Sequence, residues 1–311
     1  MIPFIGSTSP AETRRWIAAL RAAMPGEVIA PLEALDAAAR AACDVAIVAN
    51  PQPHDLRALP RLQWVHSVWA GVDRLIAELQ DLDVKVVRLQ DPQLARTMAE
   101  AVLAWTLYLH RDMPRYARQQ AARQWVEHDY IRPERKTVSL LGLGALGAAS
   151  AQRLREAGFQ VCGWSRAPSH LPGVAGYIGD EGLMAMLRRT DILVCLLPLT
   201  PQTRGVINAR ALEALPPQAS LINFARGAIV DELALRQALD SGHLAHAVLD
   251  VFTQEPLPPD AWPWSHLAVT VLPHISGPTD YETASAIVTK NISAYRADGS
   301  LPPVVDRQRG Y

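Results

Sequence analysis

The stretch Val138-Ser-Leu-Leu-Gly-Leu-Gly-Ala-Leu-Gly147 constrains the fold more than any other part of this chain. Residues suited to a buried parallel strand run into Gly142, Gly144 and Gly147, and good helix formers follow from Ala148. Strand, glycine-rich turn and helix in that order make the fingerprint of a dinucleotide-binding unit. Gly142 allows the tight turn, Gly144 lets the backbone approach a pyrophosphate, and Gly147 lets the helix sit close to the strand. The first-turn residues Ala145 and Leu146, with the helix dipole behind them, then face the phosphates. Glycines in an ordinary turn share this spacing, and it is the flanking strand and helix that favour the nucleotide.

Around this motif, strand-like and helix-like segments alternate. Before it, strands are expected at 2–6, 27–30, 44–49, 63–67 and 85–88, with an amphipathic helix at 10–23. That pattern predicts a small parallel sheet with helices on both faces. After Lys136, stronger strands are expected at 138–141, 159–164, 191–197, 220–224, 246–252 and 268–272. Helices at 145–157, 181–189, 209–215 and 231–241 separate them, giving a full doubly wound domain. A long apolar-rich helix at 96–111 suits a crossing between two domains, and a final helix at 280–297 is long enough to return to the first. The 114–135 segment is poorly periodic and carries Trp125, so it is expected as an arm reaching across a homodimer, where Trp125 would line the neighbour's site.

The fold class expected is therefore α/β with two Rossmann-like domains. A nucleotide domain at 98–282 is inserted into a discontinuous, flavodoxin-like substrate domain made of 1–97 and 283–311, with the chemistry in the cleft between them.

Composition narrows the function. With 49% apolar and 20% charged residues, the 311-residue chain is an ordinary globular α/β protein. A formal net charge of −1 offers no basic field to nucleic acid or an anionic membrane. There is no basic, apolar leader and no run of membrane-span length, so a cytoplasmic protein is expected. Cys43, Cys162 and Cys195 are scattered singly, which points to buried free thiols rather than a disulfide or a metal site.

Several positions carry chemistry. About 20 residues past the glycines, where an acid would bind the ribose of NAD, the chain reads Val161-Cys-Gly-Trp-Ser-Arg166. Ser165 in place of that acid, followed by Arg166, suits a 2′-phosphate, so NADPH is preferred over NADH; a solvated surface arginine is the plainer alternative. Asn223-Phe-Ala-Arg-Gly227, Asp250-Val-Phe-Thr-Gln-Glu-Pro256 and Pro273-His-Ile-Ser-Gly277 each follow a strand. Singly, Arg226, Glu255 and His274 could be surface charges and a loop histidine. Together they supply an anion clamp, an orienting carboxylate and a proton donor. In the first half, the turn Ser67-Val-Trp-Ala-Gly-Val-Asp73 either presents N–H groups to an anion or simply connects a strand to a helix starting near Val72.

Gly-Leu-Gly-Ala-Leu-Gly, Asn-Phe-Ala-Arg-Gly, Leu-Asp-Val-Phe-Thr-Gln-Glu-Pro-Leu-Pro and Leu-Pro-His-Ile, in this order and spacing, resemble the D-isomer-specific 2-hydroxyacid dehydrogenases. The Trp-Ser-Arg turn and the ending Val305-Asp-Arg-Gln-Arg-Gly-Tyr311 resemble the glyoxylate- and hydroxypyruvate-reducing branch. The resemblance is strong from Lys136 onward and weak before it. It implies that Arg226 binds the substrate carboxylate and keto oxygen, that His274 protonates that oxygen, and that Glu255 holds His274 charged. It also implies a carboxylate site at Trp69, Ala70 and Gly71, and cofactor contacts at Pro198, Ala225, Asp250 and Gly277 beside the glycine turn. Trp69 departs from the small residue expected there and would reshape the pocket.

Two enzyme alternatives fail: no tyrosine has lysine four residues on, as a short-chain dehydrogenase needs, and the glycine turn lies too far along the chain for an L-lactate-type enzyme. The resemblance extends to C-terminal-binding-protein corepressors, which keeps a nucleotide-switched binding protein open as the alternative.

Overall fold

The computed structural model describes residues 1–307, 309 and 310; Gln308 and Tyr311 of the C-terminal motif lie outside the described residues. The chain divides into two compact units, one made of 1–94 with 279–311 and the other of 95–278.

The first unit opens with β1 (Ile2–Gly6), α1 (Pro10–Ala23), β2 (Ile29–Pro31) and α2 (Ala37–Ala42). It continues with β3 (Val45–Ala49), α3 (Pro53–Arg57), β4 (Trp64–Ser67), α4 (Asp73–Glu78) and β5 (Lys85–Val87). All five strands pair in parallel in the order β2-β1-β3-β4-β5, the flavodoxin-like winding. β3 is buried along its whole length, which is why it reads as Val-Ala-Ile-Val-Ala without alternation. Ser9 caps α1 by accepting from the Glu12 N–H, and Pro10 starts the helix without wasting a donor. Trp16, Ile17 and Leu20 of α1 are buried among Ile2, Phe4 and Ile47.

The helix α5 (Pro92–His110) contains the boundary between the units, and α6 (Met113–Ala121) follows it. In the second unit come β6 (Thr137–Leu141), α7 (Ala145–Glu156), β7 (Gln160–Trp164), β8 (Ala175–Tyr177), α8 (Gly179–Leu187) and β9 (Ile192–Cys195). Then come α9 (Ala209–Glu213), β10 (Ala219–Asn223), α10 (Glu232–Asp240), β11 (Leu244–Leu249) and β12 (Val269–Val271). The seven strands are all parallel in the order β12-β11-β10-β9-β6-β7-β8. β6, which leads into the glycine turn, therefore sits where the winding reverses direction, the position where open α/β sheets bind ligands.

The last helix, α11 (Tyr281–Asp298), belongs to the first unit; Asp280 caps its start and Gly299 ends it with φ +78°. Ala284, Val288 and Ile292 of α11 join the core around Trp16 and Trp64.

Two expectations need correction. Residues 114–135 are not irregular throughout, because α6 occupies 113–121. Most of its side chains are exposed, so no apolar stripe advertised it in sequence. The second unit has seven strands rather than six, the extra one being β8, a three-residue edge strand too short and too glycine-containing to show a period. Among the described residues no helix is long and apolar enough to cross a membrane, and the three cysteines are buried and free.

Candidate active site

The glycine turn has the geometry a pyrophosphate needs. A Cβ at Gly147 would lie 1.9 Å from the carbonyl oxygen of Gly142, so only glycine lets α7 pack this close to the end of β6. A Cβ at Gly144 would meet nothing within 4 Å, so the turn is open on that side. Gly144 is the N-cap of α7 and has no capping side chain; the Ala148 N–H bonds back to it at 2.8 Å. The N–H groups of Ala145, Leu146 and Gly147 thus have no carbonyl within the helix and, with the dipole of a twelve-residue helix, suit an anion.

Beyond β7, Ser165 is tied to the edge strand by its N–H to the Tyr177 carbonyl, and its hydroxyl donates to the Ala167 carbonyl at 2.6 Å. Arg166 is exposed beside it. From Ser165 to Gly179 there is no carboxylate, whereas Arg166 and His170 are basic. This stretch does not repel a phosphate. Pro198 lies exposed past β9, its carbonyl accepting from the Thr203 hydroxyl, and Ala225 is buried past β10.

The candidate reactive groups come from three adjacent strands. Asn223 of β10, Leu249 of β11 and Val271 of β12 are in register, so the residues just beyond them emerge side by side. Arg226 follows β10, Asp250 and Glu255 follow β11, and His274 follows β12. His274 Nδ1 lies 2.8 Å from Glu255 Oε2, and Glu255 Oε1 accepts from the Phe252 N–H at 2.8 Å. Donating a hydrogen bond to the Glu255 carboxylate raises the His274 pKa above its ordinary value. Partial burial and the Arg226 guanidinium oppose that rise, and the Glu255 and Asp250 charges support it. On Glu255, burial pushes the carboxyl up, but the bonds from His274 and Phe252 and the nearby Arg226 hold it below the usual value. The two shifts agree: each group favours the charged form of the other.

His274 adopts a left-handed backbone with φ +55°, a conformation costing a β-substituted residue about 1 kcal/mol. Asp250, only 2% exposed, accepts from the Ile275 N–H at 2.7 Å and the Ser276 N–H at 2.9 Å. Its carboxylate, expected as a cofactor contact, is thus bonded to the loop that carries His274; Gly277 ends that loop half-buried.

Two residues that sequence reading did not single out shape the Arg226 turn. Asn223, 1% exposed, accepts from the Ala225 N–H and donates to the Arg226 carbonyl, each at 3.1 Å. A Cβ at Gly227 would lie 2.1 Å from the Phe252 carbonyl carbon, so the turn packs backbone to backbone on the loop leading to Glu255. Both were inside the Asn-Phe-Ala-Arg-Gly motif, and a glycine directly after a functional arginine was the available signal.

Trp69, Ala70 and Gly71 belong to the first unit, in the turn after β4. The Ser67 hydroxyl accepts from the Trp69 N–H, and the Trp69 carbonyl accepts from the Leu89 N–H, which fixes the turn at both edges. The Trp69 ring stands edge-on to Trp16 at 5.8 Å, and its indole N–H is buried with no partner among the described residues. The helix that follows is α4, only six residues long, so it adds little dipole to the turn.

Comparison with known proteins finds one family throughout. The model of the D-isomer specific 2-hydroxyacid dehydrogenase, NAD binding domain, matches residues 103–276. A protein named glyoxylate/hydroxypyruvate reductase A, from Yersinia enterocolitica serotype O:8 / biotype 1B, is 36% identical over 306 residues, 96% of this chain and 97% of its own length. A D-isomer specific 2-hydroxyacid dehydrogenase from Xanthobacter autotrophicus Py2, solved with NADPH and MES, superposes with a TM-score of 0.92 at 38% identity, covering 99% of each chain. An NADPH-dependent glyoxylate/hydroxypyruvate reductase from Sinorhizobium meliloti, solved with NADP and sulfate, gives 0.90 at 34% identity over 100% of this chain and 99% of its own.

Proposed function

This chain belongs to the D-isomer specific 2-hydroxyacid dehydrogenase family, and from that premise we propose that it reduces a small 2-keto acid to the D-2-hydroxy acid with NADPH. Glyoxylate, hydroxypyruvate or a keto acid of similar size is the substrate, in line with the reductases it is similar to. The observation that carries the reading is the 2.8 Å Glu255–His274 pair beside Arg226, in the unit that also holds the glycine turn.

When bound, NADPH supplies a hydride to the keto carbon. Gly142, Gly144, Ala145, Leu146 and Gly147 would hold its pyrophosphate, and Ser165 and Arg166 its 2′-phosphate, with Pro198, Ala225 and Gly277 lining the remainder. Arg226 pairs with the substrate carboxylate and polarises the keto oxygen; as a guanidinium it keeps its proton. His274 gives the proton from Nε2 to that oxygen as charge develops on it, and is left as a neutral imidazole to be reprotonated from solvent. Glu255 stays ionised throughout, fixing the ring and favouring its charged form.

The test is loss of NADPH absorbance on adding glyoxylate or hydroxypyruvate. A purified protein that binds NADPH yet turns over no 2-keto acid in a panel would favour the nucleotide-switched binding protein instead.

The protein also acts as a cytoplasmic homodimer in this reading. Support comes from the stretch after α6, where Trp125 is 96% exposed and Val126, Tyr130 and Ile131 are all exposed, an apolar set that a second copy would cover. Sedimentation at micromolar concentration tests it, and a monomer there refutes it.

A further inference from the structure

We propose that Leu143 and Gly163 form a steric lock that holds the glycine turn in register with the Ser165–Arg166 turn, and that this pair sets the preference for NADPH over NADH. The proposal rests on the reading of those two turns as the pyrophosphate and 2′-phosphate sites.

Leu143 stands between the first two glycines of the fingerprint, at a position the glycine spacing leaves open to any residue. It is nonetheless only 9% exposed and shares a buried cluster with Ala151 and Leu154 of α7 and Val161 of β7. Gly163 lies within β7, where a glycine weakens the strand and its extended backbone does not call for one. Close approach explains it. A Cβ at Gly163 would lie 2.3 Å from Leu143 Cδ2, 2.7 Å from Cδ1 and 2.8 Å from Cγ. The Leu143 isopropyl group thus occupies the space that a side chain at 163 would need. Rotation about the Leu143 Cβ–Cγ bond leaves Cγ in place. A larger residue at 163 therefore requires either a new rotamer inside a packed cluster or a shift of the glycine turn itself.

The backbone makes the same connection. The Gly142 N–H donates to the Trp164 carbonyl at 2.9 Å, so consecutive residues of the two segments meet through a hydrogen bond and a packed side chain. Ser165 follows directly. Its own N–H donates to the Tyr177 carbonyl of β8, and the Trp164 indole N–H donates to the Gly179 carbonyl at 2.9 Å. The second turn is thus anchored on both sides, and its spacing from the first is set where Leu143 meets Gly163. A cofactor carrying a 2′-phosphate is held at two points whose separation its covalent structure limits, and both contacts form together only if the turns are correctly spaced. NADH lacks the second point and tolerates a change in spacing.

The test is a cycle of the wild type, Gly163→Ala, Leu143→Ala and the double variant. Each is titrated with NADPH and with NADH by nucleotide fluorescence, and melted for Tm. We expect Gly163→Ala to raise Kd for NADPH by about tenfold or more and Kd for NADH by about threefold or less. Adding Leu143→Ala removes the atoms that the new methyl group meets, and brings the NADPH Kd back to within about threefold of the wild type. A double variant that binds NADPH no better than Gly163→Ala overturns the proposal. So does an equal loss of both cofactors, the mark of a nucleotide site that is merely distorted or destabilised, and so does an unchanged NADPH Kd in Gly163→Ala. If Gly163→Ala does not fold, Leu143→Ala alone takes its place, because it frees the turn without adding an atom, and it must show the same split between the cofactors. Ser165→Asp with Arg166→Gln separates the proposal from its premise. If that variant keeps the wild-type preference for NADPH, the reading of the 2′-phosphate turn fails. If it loses the preference while Gly163→Ala keeps it, only the present proposal fails.

Discussion

Glu255 and His274 meet through one oxygen and one nitrogen, Oε2 to Nδ1 at 2.8 Å, and this leaves the other imidazole nitrogen, Nε2, without a partner among the described residues. Because Glu255 Oε1 is held by the Phe252 N–H, the carboxylate cannot swing away without breaking a second bond. The ring is thus fixed with one edge bound and the other open, the geometry that the proposed proton donor needs. If His274 is the acid as proposed, reduction needs the protonated imidazole, and the rate is expected to fall as pH rises through the His274 pKa, which Glu255 raises. Replacing Glu255 with Gln moves that fall to lower pH. Replacing His274 with Asn lowers kcat by about 10²–10⁴-fold with NADPH binding intact. A pH–rate series on the three proteins checks both, and an unmoved alkaline limb in Glu255→Gln would remove Glu255 from the mechanism.

Gly227 makes a second prediction. With Phe252 backbone 2.1 Å from where a Cβ would stand, Gly227→Ala must push the Arg226 turn off the loop that leads to Glu255. Overpacking of this kind costs about 1–3 kcal/mol. The more telling effect is on the substrate, since displacing Arg226 by even a fraction of an ångström weakens its grip on the carboxylate, and KM for the keto acid rises by about tenfold or more. Denaturant melts and steady-state kinetics read the two separately; a variant as stable and as active as the wild type contradicts the packing described.

The cofactor preference follows from charge. No carboxylate lies between Ser165 and Gly179 to bind a ribose 2′-hydroxyl or to repel a 2′-phosphate. Ser165→Asp combined with Arg166→Gln restores the acid and removes the base, and the ratio of kcat/KM for NADPH over NADH is expected to fall by about 10²-fold or more. An unchanged ratio would show that another segment reads the phosphate.

What could be read from sequence, and what could not, divides along one physical line. The glycine turn, β3 and the final helix expected at 280–297 were legible because short-range patterns govern them, and a buried parallel strand such as β3 shows a continuous apolar run. Arg226, Glu255 and His274 stood out because each follows a strand in a recognisable motif. The bonds from Asp250 to Ile275 and Ser276 span 25 and 26 residues and join a side chain to backbone, so no periodicity records them. β8 and α6 were missed for the opposite reason. They lie at an edge and on the surface, where little burial is present to impose a pattern.

Acid sensitivity is the last prediction, and it concerns two buried histidines that play no part in the proposed proton transfer. His66, fully buried in the first unit, has Nδ1 2.9 Å from the Ser67 carbonyl and Nε2 2.9 Å from the Asn291 amide. His246, 4% exposed in the second, bonds Thr270 through Nε2. Burial pushes both down to about 4, and for His246 the charges of Arg118 and His266 add to the effect. Unfolded, each would titrate near its ordinary value of about 6.5. Between the two values the unfolded chain binds more protons than the folded one, so stability is complete above the unfolded pKa and is lost as pH falls toward about 4. Each histidine should contribute a slope of about 1.4 kcal/mol per pH unit in that window, or about 2 kcal/mol between pH 6.5 and 5. Urea unfolding at several pH values, compared with His246→Gln, should show the variant's slope smaller by one such increment in the second unit. If the ring resonances of His66 or His246 titrate with a midpoint near 6.5 in the folded protein, that histidine is not held neutral and its share of the slope vanishes.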